Sequence, residues 1–435
     1  MVVSRGKTPT AQETFMQMAQ AAGLRGRIFV TIGLLILVRL GIFLPVPGID
    51  RKAFQTAFAG NPVFSFLDYF SGGGFSALGI FALGIIPFIN ASIILQLLTA
   101  ALPSLERLQK DEGEAGRRKI SQITRYVALG WAIIQSTGLA VLINNAQGVV
   151  YKPGLPFIAQ MIVALTAGSM FVMWVGELIT ERGVGNGASL LIFLSIVSGL
   201  PTSISSTLDL AQKGKVSGII TLMAVFLAMI VCIVFVQEGT RRIPIVYARR
   251  QVGRRLYQEQ KSYLPLRLNS GGVMPIIFAS AMLIIPATVA GWIKNPKVIE
   301  YAGYLSPNSP LPWVYVIFYL SMIIFFSYFY SSLVVNPIDM SQNLKKMGAS
   351  IPGIRPGRAT TEYVERVLNR LTLLGAVFLG AVALIPTAVE QAVNVRTFAG
   401  LGATSLLILV GVAIDTAKQI QTYVISQRYE GMVKQ

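Results

Sequence analysis

The chain has 435 residues; 53% are hydrophobic, only 13% are charged, and 37 Lys and Arg against 19 Asp and Glu give a net charge of +18. A soluble chain carries about twice that charged fraction, so an all-α polytopic membrane protein is the expected class. The absence of histidine excludes His-based metal sites, proton relays and catalytic dyads, and the single cysteine, Cys232, excludes an internal disulfide.

In chain order, the first 27 residues are polar with scattered apolar positions such as Phe15 and Met16, which predicts a short surface helix rather than a cleavable signal peptide. Ten apolar runs near the ~20 residues a bilayer requires follow, at about 28–44, 75–100, 126–143, 158–176, 184–200, 216–236, 272–292, 313–335, 371–389 and 399–414. The fifth and tenth are short and Gly-interrupted. Between the first two lies a shorter apolar piece, Asn61, Pro62, Val63, Phe64, Ser65, Phe66, Leu67, Asp68, Tyr69 and Phe70, cut off by Gly72, Gly73 and Gly74. Ten residues rise only ~15 Å as helix, half the ~30 Å hydrocarbon core, so this piece predicts a short re-entrant or interfacial helix.

Taking the segments between runs alternately, one side of the membrane receives 28 Lys and Arg and the other 8, with Arg39 inside span 1. That bias places both termini and the even-to-odd loops in the cytoplasm, and a register shift of one span would destroy it. Ten spans divide into halves of five, 1–200 and 201–435, and an odd number per half gives inverted topology. Span 2 carries Gly84, Pro87 and Ile89 as G-x-x-P-x-I, and span 7 carries Gly272, Pro275 and Ile277 in the same pattern. Proline inside a span frees a backbone carbonyl and predicts a kink. Corresponding interrupted spans in inverted halves are where a functional pathway is expected.

Ionisable groups inside the spans are few. Arg39 near the end of span 1, Glu177 at the end of span 4 and Asp415 at the cytoplasmic end of span 10 can each snorkel or pair at an interface, or serve an ion site. Asn90, Gln96, Gln135 and Asn186 read as neutral mid-span groups; helix-to-helix hydrogen bonding accounts for all but Asn90, which stands as a functional candidate. Without histidine, paired membrane aspartates or metal spacing, an intramembrane enzyme has little to work with.

The cytoplasmic loops 237–271 and 336–370 are longer than topology needs. The first carries Arg241, Arg242, Arg249, Arg250, Arg254 and Arg255 among aromatic and apolar residues, and the second carries Arg355 and Arg358 in a Gly/Pro-rich turn. Such arginines serve topology and anionic lipid, or recognise a large anionic partner such as ribosomal RNA or an acidic motor surface.

Several ordered stretches together carry a resemblance: "FLPVPGID" (43–50), "FALGIIPFINASIILQLL" (81–98), "EGEAGRRKISQITRY" (112–126), "GELITERGVGNGASLLIF" (176–193), "RRIPIVYARRQVGRR" (241–255) and "GIRPGRATTEYVERVLNRLT" (353–372). From span 1 to the C-terminus the chain resembles the SecY family of protein-conducting channels. The resemblance implies ten transmembrane helices in two inverted five-helix halves around a central pore. Motif by motif, it implies a sealing ring of Ile85, Ile89, Ala188, Ile192, Ile277 and Ile408, although Ala188 departs from the bulky pattern. It further implies that 61–74 is a plug, and that Pro87, Asn90 and Ile93 face Pro275, Met282 and Ile285 across a lateral gate. The arginines of the two loops become docking sites, and the partners become SecE, SecG, the ATPase SecA, the ribosome, signal-sequence-bearing unfolded polypeptides and anionic lipids. The location becomes the bacterial inner membrane. No cofactor is expected, and no Gly-rich phosphate loop is present. A secondary transporter of a small solute, dependent on Asp415, Glu177 or Arg39, stays open as the alternative.

Overall fold

The structure, a computed structural model, describes residues 22–58, 68, 71–111, 113–146, 148–212, 216–247, 251–252, 255–256, 261–280, 282–283, 297, 304–305, 312–393 and 403–433. The expected surface helix within 1–27 falls largely outside these residues, as do 61–67, Tyr69, Phe70 and Ile285. The chain is mostly helical, and five of its described helices are long and apolar enough to cross a membrane. It is organised as two compact units, 1–202 with 412–435, and 203–411.

The first unit contains α1 (Ala22–Gly41), α2 (Arg51–Phe58), α3 (Ile86–Ala101), α4 (Pro103–Asp111), α5 (Gly113–Asn144), α6 (Leu155–Arg182) and most of α7 (Gly187–Gln212). In the second lie α8 (Val216–Glu238), β1 (Thr240–Tyr247), β2 (Gln251–Val252), β3 (Arg255–Leu256) and β4 (Lys261–Arg267). A helical run over 274–280 follows, then α9 (Pro312–Val334), α10 (Pro337–Lys346), β5 (Ala349–Ser350), α11 (Arg358–Val393) and the first part of α12 (Ala403–Val433). Eight of the ten expected spans coincide with these helices; span 2 is helical only from Ile86, and the described helical residues of the seventh are 274–280 and 282–283.

Span 2 differs from its expected form. Residues 75–85 are a chain of turns, and α3 begins only at Ile86, with Pro87 in its first turn rather than at a kink. Proline suits that place because the amide it lacks would have had no partner there. Two left-handed residues, Leu78 (φ 44°) and Gly84 (φ 52°), keep the preceding stretch out of the helix. That stretch bonds instead to the chain after α1: the Val46 amide donates to the Leu78 carbonyl and the Ile80 amide to the Leu44 carbonyl, each at 2.9 Å. At 16 residues, α3 rises about 24 Å, short of the ~30 Å core. Non-helical backbone is tolerable at such depth only when protein surrounds it. Phe75, Leu78, Ala82 and Leu83 are accordingly buried, in a cluster with Phe54 of α2, Ile143 of α5, and Phe157, Met161 and Leu165 of α6.

The second unit contains β structure that the helical pattern of the spans does not announce. β4, β1 and β5 form one antiparallel sheet in that order, with Ile243 opposite Leu264 and Tyr247 opposite Ala349. Along β1, burial alternates over 242–245, with Ile243 and Ile245 buried and Arg242 and Pro244 exposed, a period of two; Arg241 is exposed as well. Pro244 lies opposite Tyr263 of β4, at a position that β5, paired only with Val246 and Tyr247, does not reach.

Candidate functional site

The two G-x-x-P motifs adopt the same local geometry. Gly84 and Gly272 are both left-handed (φ 52° and 58°), and Pro87 and Pro275 are each the second residue of the helix that follows. Each glycine carbonyl is held by a side chain: Ser169 Oγ of α6 donates to Gly84 at 3.1 Å, and Asn269 Nδ2 donates to Gly272 at 2.8 Å. Ile89 donates its amide to the Ile85 carbonyl at 3.1 Å, and Ile277 does the same to Val273 at 3.3 Å. Thus Ile85, Ile89 and Ile277 sit at the beginnings of helices, not midway along them.

Burial of the ring candidates within their own units is uneven. Ile85, Ile192, Ile277 and Ile408 are buried, whereas Ile89 and Ala188 are half-buried. In the first unit, Ile85 lines a small cavity with Arg39, Ser71, Leu191, Leu194 and Ser195. Among the lateral-gate candidates, Pro87, Ile93 and Pro275 are buried, Asn90 is half-buried and Met282 is exposed.

Of the plug candidates, Asp68 and the three glycines are described, and they form a closed turn. The Asp68 carbonyl accepts from the Gly73 amide at 2.9 Å and from Ser71 Oγ at 3.1 Å. Its carboxylate Oδ1 accepts from the Ser76 amide at 2.6 Å. Gly72 (φ 66°) lies against α7, where a Cβ would come within 2.9 Å of Ser195 Cα.

Two of the three ionisable span candidates are engaged, and the third, Asp415, is exposed on α12. Glu177 Oε1 accepts from Arg125 Nε at 2.8 Å, joining α6 to α5, and Arg39 Nη1 donates to the Gly72 carbonyl. Asn186 is not a mid-span group: its Oδ1 accepts from the Ser189 amide at 3.2 Å and caps α7. Gln96 and Gln135 each bury Oε1 without a partner among the described residues.

The structure joins the two basic loops. β5, from loop 336–370, pairs with β1, from loop 237–271, and Ile243, Leu266 and Ile351 share a core with Val364, Val367, Leu368 and Leu371 of α11. On this body Arg241, Arg242, Arg355 and Arg358 are all exposed. Arg355 sits between two left-handed glycines, Gly353 (φ 79°) and Gly357 (φ 110°), and its carbonyl accepts from Thr360 Oγ1 at 2.9 Å. Arg358 Nε reaches Glu362 Oε1 at 3.0 Å. Arg249, Arg250 and Arg254 lie outside the described residues, and Arg255 is described only as part of β3. Sequence reasoning overlooked that the two loops form one body; the signal was the alternation in "RRIPIVY" and "KSYLPLR".

The SecY family model matches residues 79–417. Proteins named protein translocase subunit SecY are 70% identical in Synechococcus elongatus, with both chains covered completely, and 44% identical in Aquifex aeolicus, covering 94% of this chain and 97% of that one. Among solved structures, a protein-conducting channel matches with a TM-score of 0.64 at 18% identity over 92% of each chain. A channel from a canine ribosome–channel complex of the endoplasmic reticulum matches with a TM-score of 0.58 at 17% identity, again over 92% of each chain. These likenesses extend over the spans, both G-x-x-P motifs and the basic sheet together, and the chain belongs to the SecY family.

Proposed function

We propose that this chain is the channel subunit of a protein translocase, passing unfolded secretory polypeptides across the bacterial inner membrane and releasing apolar segments sideways into lipid. The reading is carried by the complete-length 70% identity to a protein translocase subunit. The site geometry agrees with it. A small-solute transporter needs free ionisable groups buried near its substrate, whereas Glu177 and Arg39 are engaged within the first unit and Asp415 is exposed. What remains to act on a translocating chain is aliphatic: Ile85, Ile89, Ala188, Ile192, Ile277 and Ile408. A branched aliphatic collar blocks ions by dewetting yet yields to a threaded polypeptide.

The halves 1–200 and 201–435 act as inverted repeats, a reading supported by the matching G-x-x-P geometry in each. Segment 61–74 acts as the plug outside the collar. Apolar segments of ~20 residues prefer lipid and leave between span 2, at Pro87, Asn90 and Ile93, and span 7, at Pro275, Met282 and Ile285. The joined basic loops are the docking platform for the ribosome and for SecA, through Arg241, Arg242, Arg249, Arg250, Arg254, Arg255, Arg355 and Arg358; guanidinium forks suit RNA phosphate and acidic protein surfaces alike. Those partners supply the energy, SecE and SecG complete the complex, anionic lipids attract the basic faces, and both termini lie in the cytoplasm.

Reconstitution with SecE-, SecG- and SecA-type partners tests the reading: ATP-dependent import of a precursor into vesicles is the expected outcome. Saturable solute uptake by the chain without precursor import would overturn it. The sideways exit has its own test. After Cys232→Ser, cysteines placed pairwise in 88–93 and 282–285 are expected to form a disulfide at one pair or more, which needs Cα atoms within ~7 Å. Oxidation should then block import and insertion reversibly. A tight crosslink that leaves translocation intact removes the gate from the mechanism.

A further inference from the structure

We propose that Arg39 is a positioning residue for the resting channel: its guanidinium latches the glycine turn at 71–76 against α7, and opening requires this bond to be given up. The inference rests on the channel reading above but uses only residues placed in the first unit. Arg39 lies in the last turn of α1, and the carbonyl of Gly72 accepts from its Nη1. Ser198 Oγ of α7 lies 3.3 Å from the same carbonyl but only 2.7 Å from the Ser195 carbonyl. A hydroxyl has one proton to donate, and the nearer acceptor takes it, so Arg39 is the principal donor to Gly72. Because Asp68 bonds to Ser71, Gly73 and Ser76, fixing Gly72 holds Asp68 and 71–76 together.

Its position gives that bond a role beyond packing. Arg39, Ser71, Ser195 and the ring candidate Ile85 line one small cavity, so the latch and the seal share a wall. Among the described residues no carboxylate pairs with Arg39; its other neighbour is the ring of Phe43, whose centroid is 5.9 Å from the guanidinium carbon. A guanidinium held by one carbonyl and a ring face is strong enough to bias a resting state and weak enough to release. A carboxylate partner, by contrast, would make a permanent brace. Nothing of α7 has to unfold for the turn to leave, since Gly72 contributes no side chain to the contact.

Planar-bilayer conductance of the reconstituted complex tests this. Arg39→Gln removes the charged donor, and the resting ion conductance is expected to rise on the order of tenfold, as for loss of a charge-assisted hydrogen bond, with precursor import retained. Arg39→Lys keeps a charge and a donor and should stay near the parent. Gly72→Ala approaches the contact from the other side, forcing a Cβ toward Ser195 at an unfavourable φ, and should leak without any change in α1; it decides the matter if Arg39→Gln lowers complex yield. Resting conductance equal to the parent in both Arg39→Gln and Gly72→Ala overturns the latch. Deleting 61–67, which leaves Asp68 in place, separates the readings: a deletion that does not leak beside an Arg39→Gln that does would sink the plug while leaving the latch standing.

Discussion

The two G-x-x-P elements solve one problem with different degrees of outside help. In the second unit the element follows β4 almost directly, and the side chain that holds the Gly272 carbonyl is Asn269, three residues away. In the first unit the element ends a long buried run of turns, and the Gly84 carbonyl is held by Ser169, 85 residues away on α6. Both elements press a carbonyl four residues upstream of the glycine onto a glycine of a long helix: Ile80 onto Gly168 of α6, and Leu268 onto Gly375 of α11. The first approach is the closer, leaving no room for a Cβ, whereas at Gly375 a Cβ would stand 3.0 Å from the Leu268 oxygen. A helix start in the membrane can therefore be built locally or borrowed from tertiary packing, and the borrowed one is the more sensitive to distant substitution.

The largest expected effect breaks the comparison at these glycines. Gly168→Ala forces backbone against backbone, and overpacking of that kind costs ~3 kcal/mol or more. Gly375→Ala needs only a small shift and should cost about 1 kcal/mol. Survival of monodisperse complex after heating in detergent measures both. Equal losses would mean that the tightness of the two approaches does not govern how firmly each helix start is held.

A smaller effect is expected at the caps. Ser169→Ala leaves the Gly84 carbonyl without its donor and should cost about 1–2 kcal/mol, with faster hydrogen exchange at the amides of 86–90. Asn269→Ala should cost roughly half as much, because neighbouring turn groups can approach a carbonyl only three residues away. If Asn269→Ala speeds exchange over 274–278 more than Ser169→Ala does over 86–90, the idea of a borrowed start fails.

How far the sequence reveals these elements depends on what each one requires. Hydropathy alone locates α5, α6, α8, α9 and α11, since a long apolar run in a basic chain has few other uses. The G-x-x-P echo points to the right residues, but "GIFALGIIPF" is as apolar as any span, so nothing in its composition discloses that 75–85 is non-helical. That outcome comes from hydrogen bonds to the chain after α1, a tertiary cause. The basic loops are legible as charge but not as a sheet, because β5 has two residues and its partner lies about a hundred positions away. Glu177 is legible as an interfacial group needing a partner, while its choice of Arg125 follows from how α5 lies along α6. Arg39 is visible at once as an arginine within a span; the Gly72 carbonyl it holds is not, because no pattern encodes a backbone acceptor 33 residues away.

The smallest effect sharpens the comparison by testing where the units should agree. In the first, Ser136 Oγ of α5 and Thr166 Oγ1 of α6 lie 3.1 Å apart; in the second, Ser331 Oγ of α9 and Thr372 Oγ1 of α11 lie 2.9 Å apart, and both pairs are buried. Each bridge joins two adjacent long helices in corresponding positions of the halves, with no turn or loop involved. Hydrogen bonds between membrane helices contribute about 0.6 kcal/mol on average, partly because a lone hydroxyl can turn back to a carbonyl of its own helix. Ser136 has that recourse already, with the Ile133 carbonyl 3.1 Å from its Oγ. Ser136→Ala and Ser331→Ala should therefore cost similar small amounts, about 0.5–1 kcal/mol each, read as coupling energies in double-mutant cycles with Thr166→Val and Thr372→Val. A coupling above ~2 kcal/mol in one unit and near zero in the other would show that the halves differ in their helix pairs as well as in their helix starts, and the asymmetry could no longer be assigned to the G-x-x-P elements.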